Sequence, residues 1–469
     1  MSTREPSAKA SDSQRLDAWR PRLEALARAQ GLDFDPVVSE LVPDSFMMEV
    51  AVYGLPVRMP HWSFGVRYIH QYVQHRMGHS HIFEVVFPGV PNRAYLQQSN
   101  ALAENVLVTA HVLGHADFSR HNALFQRMQG QSGTRVVEQA AARARRIEAA
   151  IAGHGHDRVE RILDAALALE QYIDVNKPLV RPPYPEWIEP RPASPIEDAF
   201  RTRFDALPGA HHAPAAVPER SRAPLPPTPE ADLLWFIARH APDLEDWERD
   251  IFLAVREESF YFYPLFACQI MNEGWASFWH ARLLREADFL PHDLYLDAIR
   301  AHAGVVSPYA ADDQVTLAIN PYHLGFRIWE RIVEQQGLEA AFRIRADEVD
   351  FSFIRNHLDR ELVESLRLFA YTRGRERGGE CLHIEQMDLD RIREGFLAPK
   401  FNYGAPRIRA SAMLPDGSLQ LAHDAATDGR GLDLDRAEKV LGYVQRIWRR
   451  PVRLETVNAQ ASDISLTAG

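Results

Sequence analysis

The chain has 469 residues, of which 46% are apolar, 25% charged and 10% aromatic, and its formal net charge is −11. These proportions are typical of a globular protein and exclude collagen-like and intrinsically disordered classes. The negative net charge gives no general attraction to nucleic acid, and no apolar run approaches the roughly 20 residues that cross a bilayer. We therefore expect neither a nucleic-acid partner nor a membrane span.

The first residues and the cysteines indicate where the protein works. The polar N-terminal stretch lacks the apolar segment of a secretory signal. The two cysteines, Cys268 and Cys381, lie far apart and have no metal-binding or redox spacing. This usage is typical of a reducing compartment, so we expect a cytoplasmic protein.

In chain order, residues 1–12 are predicted to be a disordered lead, and residues 13–181 form the N-terminal part of the core. Strands are predicted over residues 46–52 and 81–87 from their apolar, β-branched composition. Apolar spacing of three and four residues predicts helix from residue 94 to 128 and in later segments up to residue 172.

A proline-rich stretch over residues 182–230 holds thirteen of the 31 prolines and is predicted to be a linker or an insertion. Helical periodicity returns over residues 231–404, up to a predicted helix at 360–371. Residues 405–460 are predicted to form a small ββαβ appendage, followed by a tail at 461–469. The expected fold class is therefore mainly α, of the α+β type.

Two helical segments concentrate side chains that bind metals. In the first, His111 and His115 are four residues apart, so both imidazoles lie on one helical face and can hold a single ion. Glu104, two turns before His111, and Asp117 flank this pair. In the second segment, Glu273 lies seven residues before His280 on the same face.

A carboxylate between apolar neighbours is costly to bury without a partner, and a metal ion or a histidine cluster would supply one. The residues alone leave the alternatives open, because a histidine pair on a helix is often structural and Glu273 could brace a neighbouring helix by a hydrogen bond. Tyr322 precedes a predicted helix and is a further candidate to line a pocket.

Long motifs in this chain resemble the stage V sporulation protein R (SpoVR) family. They are His61-Trp-Ser-Phe-Gly, His111-Val-Leu-Gly-His115-Ala-Asp-Phe, Met271-Asn-Glu-Gly-Trp-Ala-Ser-Phe-Trp-His280, Asn320-Pro-Tyr-His-Leu-Gly-Phe326, Leu366-Arg-Leu-Phe-Ala-Tyr371, Pro415-Asp-Gly-Ser and Arg450-Pro-Val-Arg-Leu-Glu-Thr-Val457. The resemblance runs from about residue 15 to 460. It implies a role in sporulation, spore cortex formation or stress programmes, beside a serine protein kinase and a von Willebrand-type partner.

Asn-Glu-Gly-Trp-Ala is also similar to the run that supplies the third zinc ligand of gluzincin metallopeptidases. That likeness implies a metallopeptidase-like core in which His111, His115 and Glu273 are ligands. Two features depart from the gluzincin pattern. Val112 stands where the general-base glutamate belongs, and Glu273 follows much later in the chain than a gluzincin third ligand does.

We therefore expect a zinc-dependent hydrolase of amide bonds in a peptide or a cell-wall-precursor-like substrate, with Glu104 or Asp117 as the base that replaces the missing one. If His280 also binds, the site is closed or holds two ions bridged by Glu273; iron or manganese would then be the expected metal of a redox protein. The remaining alternative is a non-enzymatic regulatory scaffold in which the His/Glu cluster is a structural centre.

Overall fold

The computed structural model divides the chain into two compact units. The first contains residues 1–153 and 257–404, and the second contains residues 154–256 and 405–469. Within them the described residues are 5–54, 58–59, 61–76, 84–176, 184–185, 224–306, 320–368, 371–376, 379–384, 388–398, 400–429, 431–458 and 462–469. Most of the proline-rich stretch at 182–230 lies outside these ranges.

Helices make up most of the described chain. In chain order they are α1 (Glu5–Ala29), α2 (Asp44–Tyr53), α3 (Trp62–Arg76), α4 (Leu102–His121), α5 (Ala123–Ser132), α6 (Val136–His154), α7 (His156–Ala168), α8 (Leu233–His240), α9 (Asp246–Ala267), α10 (Gln269–Glu286), α11 (His292–Val305), α12 (Pro321–Gln336), α13 (Leu338–Asp347), α14 (Asp350–His357), α15 (Arg360–Ser365), α16 (Leu389–Leu397), α17 (Ala425–Asp428) and α18 (Leu434–Trp448). None of them is long and apolar enough to cross a membrane.

The strands form three small sheets. Their bounds are β1 (Val37–Val42), β2 (Glu84–Phe87), β3 (Asn92–Gln97), β4 (Tyr371–Glu376), β5 (Gly379–Ile384), β6 (Ile408–Met413), β7 (Leu419–His423), β8 (Val452–Val457) and β9 (Asp463–Ala468). In the first sheet β3 is central, parallel to β1 and antiparallel to β2. The mainly helical prediction with small sheets is thus confirmed.

The core of the first unit surrounds α4 and α10. Both helices are buried on nearly all sides, and α10 packs between α4 and α12. Two close approaches permit this packing. A Cβ added to Gly114 would stand 2.7 Å from the Cα of Ala276, and one added to Gly274 would stand 2.3 Å from the carbonyl carbon of Gly325. Helices that touch through such small residues bring their backbones, and the side chains beside them, unusually close together.

The second unit contains the C-terminal sheet in the order β6-β7-β8-β9. β6 pairs antiparallel with β7, β7 parallel with β8, and β8 antiparallel with β9. Helix α18 connects the parallel pair and packs on the sheet, with Leu441, Val444, Ile447 and Trp448 buried. The predicted ββαβ unit is present, and the predicted tail contributes a fourth strand, because Asp463–Ala468 pairs along β8.

Several predicted boundaries differ from the structure. Residues 46–52 belong to helix α2, which follows Pro43, ends at Tyr53 and is capped by Gly54 with φ +74°. Its short apolar run does not distinguish a strand from a helix. The predicted helix from residue 94 begins only at Leu102, since β3 comes first. As a central strand buried on both faces, β3 lacks the alternation that marks a strand in sequence.

Two further predicted boundaries differ from the structure, one at the end of a predicted helix and one at the start of the chain. The predicted helix over 360–371 ends at Ser365, and the backbone of Arg367 is left-handed, with φ +52°. Tyr371 is the first residue of β4 instead. At the other end of the chain, the predicted disordered lead of residues 1–12 is helical from Glu5 onward.

Candidate metal centre

His111 and His115 project from the middle of α4 into the core of the first unit. Their imidazole rings are perpendicular, with centroids 4.5 Å apart, as the spacing of one helical turn predicts. The exposed fractions of the two side chains are only 3% and 7%. Both imidazoles are therefore almost completely buried.

Helix α10 places a carboxylate opposite this pair. Oε2 of Glu273 lies 3.5 Å from Nε2 of His111 and 3.4 Å from Nε2 of His115. The two distant segments singled out in the sequence thus meet in space. The Glu273 side chain is 21% exposed as a whole, but the Oε2 atom that faces the histidines is buried.

Strand β2 adds a second carboxylate, which the sequence did not indicate. Oε1 of Glu84 lies 3.7 Å from Nε2 of His111. One ligand atom each from Glu84, His111 and His115 falls within 4.8 Å of the others. Glu273 does not belong to this group of three, but its Oε2 lies within 3.5 Å of both imidazole nitrogens.

The spacing of these donors fits a metal ion better than direct hydrogen bonds. Hydrogen bonds between nitrogen and oxygen are usually 2.7–3.2 Å long, shorter than any of the three distances above. In a tetrahedral zinc site with bonds of about 2.0–2.1 Å, neighbouring ligand atoms are about 3.3 Å apart. Nε2 of His111 and Oε2 of Glu273 are also buried without a hydrogen-bond partner. Such unpaired buried atoms are costly, and a cation between them would satisfy both.

The other nitrogen of each imidazole is engaged behind the cluster. Nδ1 of His115 lies 2.9 Å from Oδ1 of Asn272, and Nδ1 of His111 lies 2.9 Å from Nδ1 of His280. Nε2 of His280 lies in turn 2.6 Å from Nδ1 of His302 on α11. His280, predicted as a possible ligand, is therefore placed behind His111 with both ring nitrogens occupied.

Burial and charge act in opposite directions on the titrating groups of the cluster. Burial alone would raise the pKa of Glu273, but the adjacent imidazoles of His115 and His111 outweigh it and lower the pKa. Burial would lower the pKa of His115, and the Glu273 carboxylate reverses that shift and raises the pKa. For Glu84 burial dominates and raises the pKa. Burial, with the nearby histidines, lowers the pKa of His280 well below its usual range.

Tyr322, at the start of α12, completes the wall of the cluster. Its ring stacks on that of His111 at a centroid distance of 6.1 Å. The negative charge of Glu273, burial and the negative charge of Glu84 raise the pKa of Tyr322 well above its usual range. The phenol therefore stays protonated beside the cluster.

Glu104 and Asp117 are both engaged away from the cluster. Glu104 accepts a 2.6 Å hydrogen bond from the backbone N–H of Ala101 and so caps the N-terminus of α4. Asp117 is fully buried and accepts hydrogen bonds from Arg345 (2.5 Å), Trp275 (2.9 Å) and the backbone N–H of Asp33 (3.0 Å). These contacts join α4, α10, α13 and the segment between α1 and β1.

The residues missed from sequence share one property: no local spacing links them to the ligand helices. Glu84 begins a short strand, His302 lies on a separate helix, and Asn272 stands beside Glu273 without a metal-binding signature. Asn272 and Glu273 are nevertheless adjacent in one motif, so the Asn272 amide could have been identified from the sequence as a side chain near the ligands.

Comparison with known proteins agrees with the long motifs. The family described as SpoVR like protein matches residues 10–402, and the SpoVR-like C-terminal domain matches residues 410–459. An uncharacterized protein of Escherichia coli (strain K12), YcgB, is 28% identical across 95% of this chain and 92% of its own length. No solved structure matches, so the metallopeptidase-like core stays a prediction. The chain belongs to the SpoVR family.

Proposed function

We propose that this chain is a zinc-dependent hydrolase of amide bonds, with His111, His115 and Glu273 as the metal ligands. The observation that carries the proposal is the position of Glu273 Oε2, which lies 3.5 Å from Nε2 of His111 and 3.4 Å from Nε2 of His115, with Oε2 and the His111 nitrogen buried and unpaired. The same ligand set follows from the gluzincin likeness. A peptide or a cell-wall-precursor-like amide is the proposed substrate class.

Glu84 is the proposed general base, in place of Glu104 and Asp117. Its carboxylate lies beside the ligands and is 15% exposed, whereas the other two acids are held in structural hydrogen bonds elsewhere. A bound zinc ion lowers the pKa of a coordinated water to about 7. The role proposed for the Glu84 carboxylate is to accept a proton, and that for the Tyr322 hydroxyl is to donate a hydrogen bond to an oxygen on which negative charge develops.

The donor set favours zinc over other metals without requiring it. Two imidazoles and carboxylates suit zinc, and the same donors also bind iron or manganese. A dimetal redox centre would need additional carboxylates near the cluster. With its two carboxylates, the described cluster supports a single ion.

A closed coordination shell favours a second candidate function. If Glu84 binds the ion together with the other three residues, the site has four protein ligands, as structural zinc sites do. The chain would then be a regulatory scaffold stabilised by metal. From family resemblance alone, a serine protein kinase and a von Willebrand-type protein are its proposed partners, in a cytoplasmic sporulation or stress programme.

Metal analysis of protein purified without an affinity tag tests the shared basis of both candidates. We expect about one zinc ion per chain in the wild type and little in His111→Ala/His115→Ala. A matched control is His156→Ala, which removes an exposed histidine from α7 and should keep the full metal content. Substoichiometric metal in the wild type, or equal content in the double variant, would refute the metal site.

Glu84→Gln separates the two functions. As a general base Glu84 does not bind the metal, so the variant should keep its zinc and lose hydrolysis of peptide 4-nitroanilides and synthetic stem peptides. If Glu84 is instead a fourth ligand, the variant should bind zinc about 10-fold or more weakly. In that case the wild type should not hydrolyse these substrates either. Glu104→Gln provides the control, because its carboxylate caps α4 away from the cluster.

A further inference from the structure

The two ligand histidines are supported from behind in different ways. His115 faces the side-chain oxygen of Asn272, a neighbour on the Glu273 helix. His111 faces a second histidine, His280, which is itself fully buried and in contact with His302. The chain His111–His280–His302 thus runs from the cluster to α11, through contacts of 2.9 Å and 2.6 Å.

Counting protons fixes the direction of this chain when an ion is bound. A ligating Nε2 carries no proton, so His111 must carry its proton on Nδ1 and donate it to His280. Nδ1 of His280 then accepts, which leaves the proton of a neutral His280 on Nε2. That proton is donated to Nδ1 of His302. Each contact has one donor and one acceptor only in this arrangement.

We infer that His280, anchored by His302, is a positioning residue that holds His111 in the tautomer and orientation needed to bind metal. This inference rests on the proposed metal site. It assigns to His280 the acceptor role that Asn272 performs for His115, rather than the ligand role suggested by its spacing from Glu273. Partners of this kind typically change metal affinity by 10- to 100-fold.

The Asn272 contact suggests the conservative variant. In an asparagine side chain, Oδ1 occupies nearly the position of a histidine Nδ1. His280→Asn therefore keeps an acceptor for His111 while losing the contact with His302. His280→Phe fills the same buried space and offers no acceptor. The two variants differ chiefly in whether the Nδ1 proton of His111 has a partner.

Calorimetric titration with Co²⁺ and the visible absorption of the bound ion test the inference. We expect His280→Phe to bind Co²⁺ about 10- to 100-fold more weakly than wild type, and His280→Asn to recover most of that loss with a wild-type spectrum. His302→Phe should weaken binding in the same direction without altering His280 itself, and serves if His280→Phe does not fold. Substitutions of His292, exposed on α11, provide the matched control.

Two results would overturn the inference while leaving the metal site intact. One is wild-type affinity for Co²⁺ in both His280→Phe, which removes the acceptor, and His302→Phe, which removes its anchor, when both variants fold. The other is an equal loss in His280→Asn and His280→Phe, which would mean that only the imidazole itself matters, as a ligand would. Failure of the wild type to bind Co²⁺ would instead refute the proposed metal site and the inference with it.

Discussion

The contact between Gly274 and Gly325 makes the geometry of the metal centre sensitive to a single methyl group. Gly274 follows Glu273 on α10, and its added Cβ would lie 2.3 Å from the carbonyl carbon of Gly325 and 2.4 Å from its Cα. Carbon atoms pack at about 3.5–4.0 Å. Gly274→Ala therefore forces α10 and α12 apart by about 1 Å, because the Gly325 atoms that the new Cβ would meet belong to the backbone and cannot rotate away.

This displacement has an expected cost in both stability and binding. Overpacking of a buried contact usually costs about 1–3 kcal/mol, against about 0.5–1 kcal/mol gained by replacing a helical glycine with alanine. Taken together, these figures predict that the free energy of unfolding falls by about 1 kcal/mol, and by at most about 2.5 kcal/mol. Since ligands must be held within about 0.5 Å, zinc affinity should fall at least about 10-fold.

Urea unfolding and zinc titration of Gly274→Ala measure the two effects. The matched control is Gly395→Ala, on an exposed position of α16 where an added Cβ meets nothing within 4 Å. It should raise stability by about 0.5–1 kcal/mol and leave zinc affinity unchanged. If Gly274→Ala were as stable as the control and bound zinc normally, the close approach of α10 and α12 would not be what positions Glu273.

Three further predictions concern carboxylates outside the proposed ligand set. Glu104→Ala should destabilise the protein by about 0.5–2 kcal/mol through loss of a cap, with unchanged zinc affinity in a titration; a large loss of zinc would contradict its capping role. Asp117→Ala should lower the free energy of unfolding in urea by about 3–5 kcal/mol, because it leaves the buried Arg345 guanidinium without its carboxylate partner. A loss below about 1 kcal/mol would show that this contact is unimportant. Asp350 accepts hydrogen bonds from the backbone of Ile270 and Met271 at the start of α10, and burial raises its pKa to about 6. Between its ordinary pKa and this value the folded state holds the proton more tightly than the unfolded state, so stability should fall as pH rises from 4 to 6, by up to about 3 kcal/mol. Asp350→Asn should lack this part of the pH dependence, and an identical slope in both proteins would refute it.

The parts of the fold that sequence predicted well are those with strong local signals. Helix α18 lies where the predicted ββαβ appendage requires a helix, because its apolar face is clear and Asp433 caps it. The segment Pro415-Asp-Gly-Ser418 joins β6 and β7, the two strands with which the predicted appendage begins. Strand β3 and helix α2 were not predicted correctly. Burial on both faces removes the periodicity of β3, and the apolar run of α2 is too short to show one.

The candidate site divides in the same way. The pairing of His111 with His115 follows from helical geometry, and the motif around Glu273 identified its partner from far along the chain. Glu84 could not be found from spacing, because only the register of a three-stranded sheet brings β2 to α4. The placement of His280 behind His111 likewise depends on how α4 and α10 cross, which a shared helical face does not determine.

Anomalous diffraction from crystals of tag-free protein, recorded above and below the zinc absorption edge, tests the central claim most directly. The account predicts one strong peak about 2.0–2.2 Å from Nε2 of His111, Nε2 of His115 and Oε2 of Glu273, with Nδ1 of His111 still against His280. A zinc peak bound elsewhere, or zinc-soaked crystals in which these donors keep their positions around a water molecule, would contradict it.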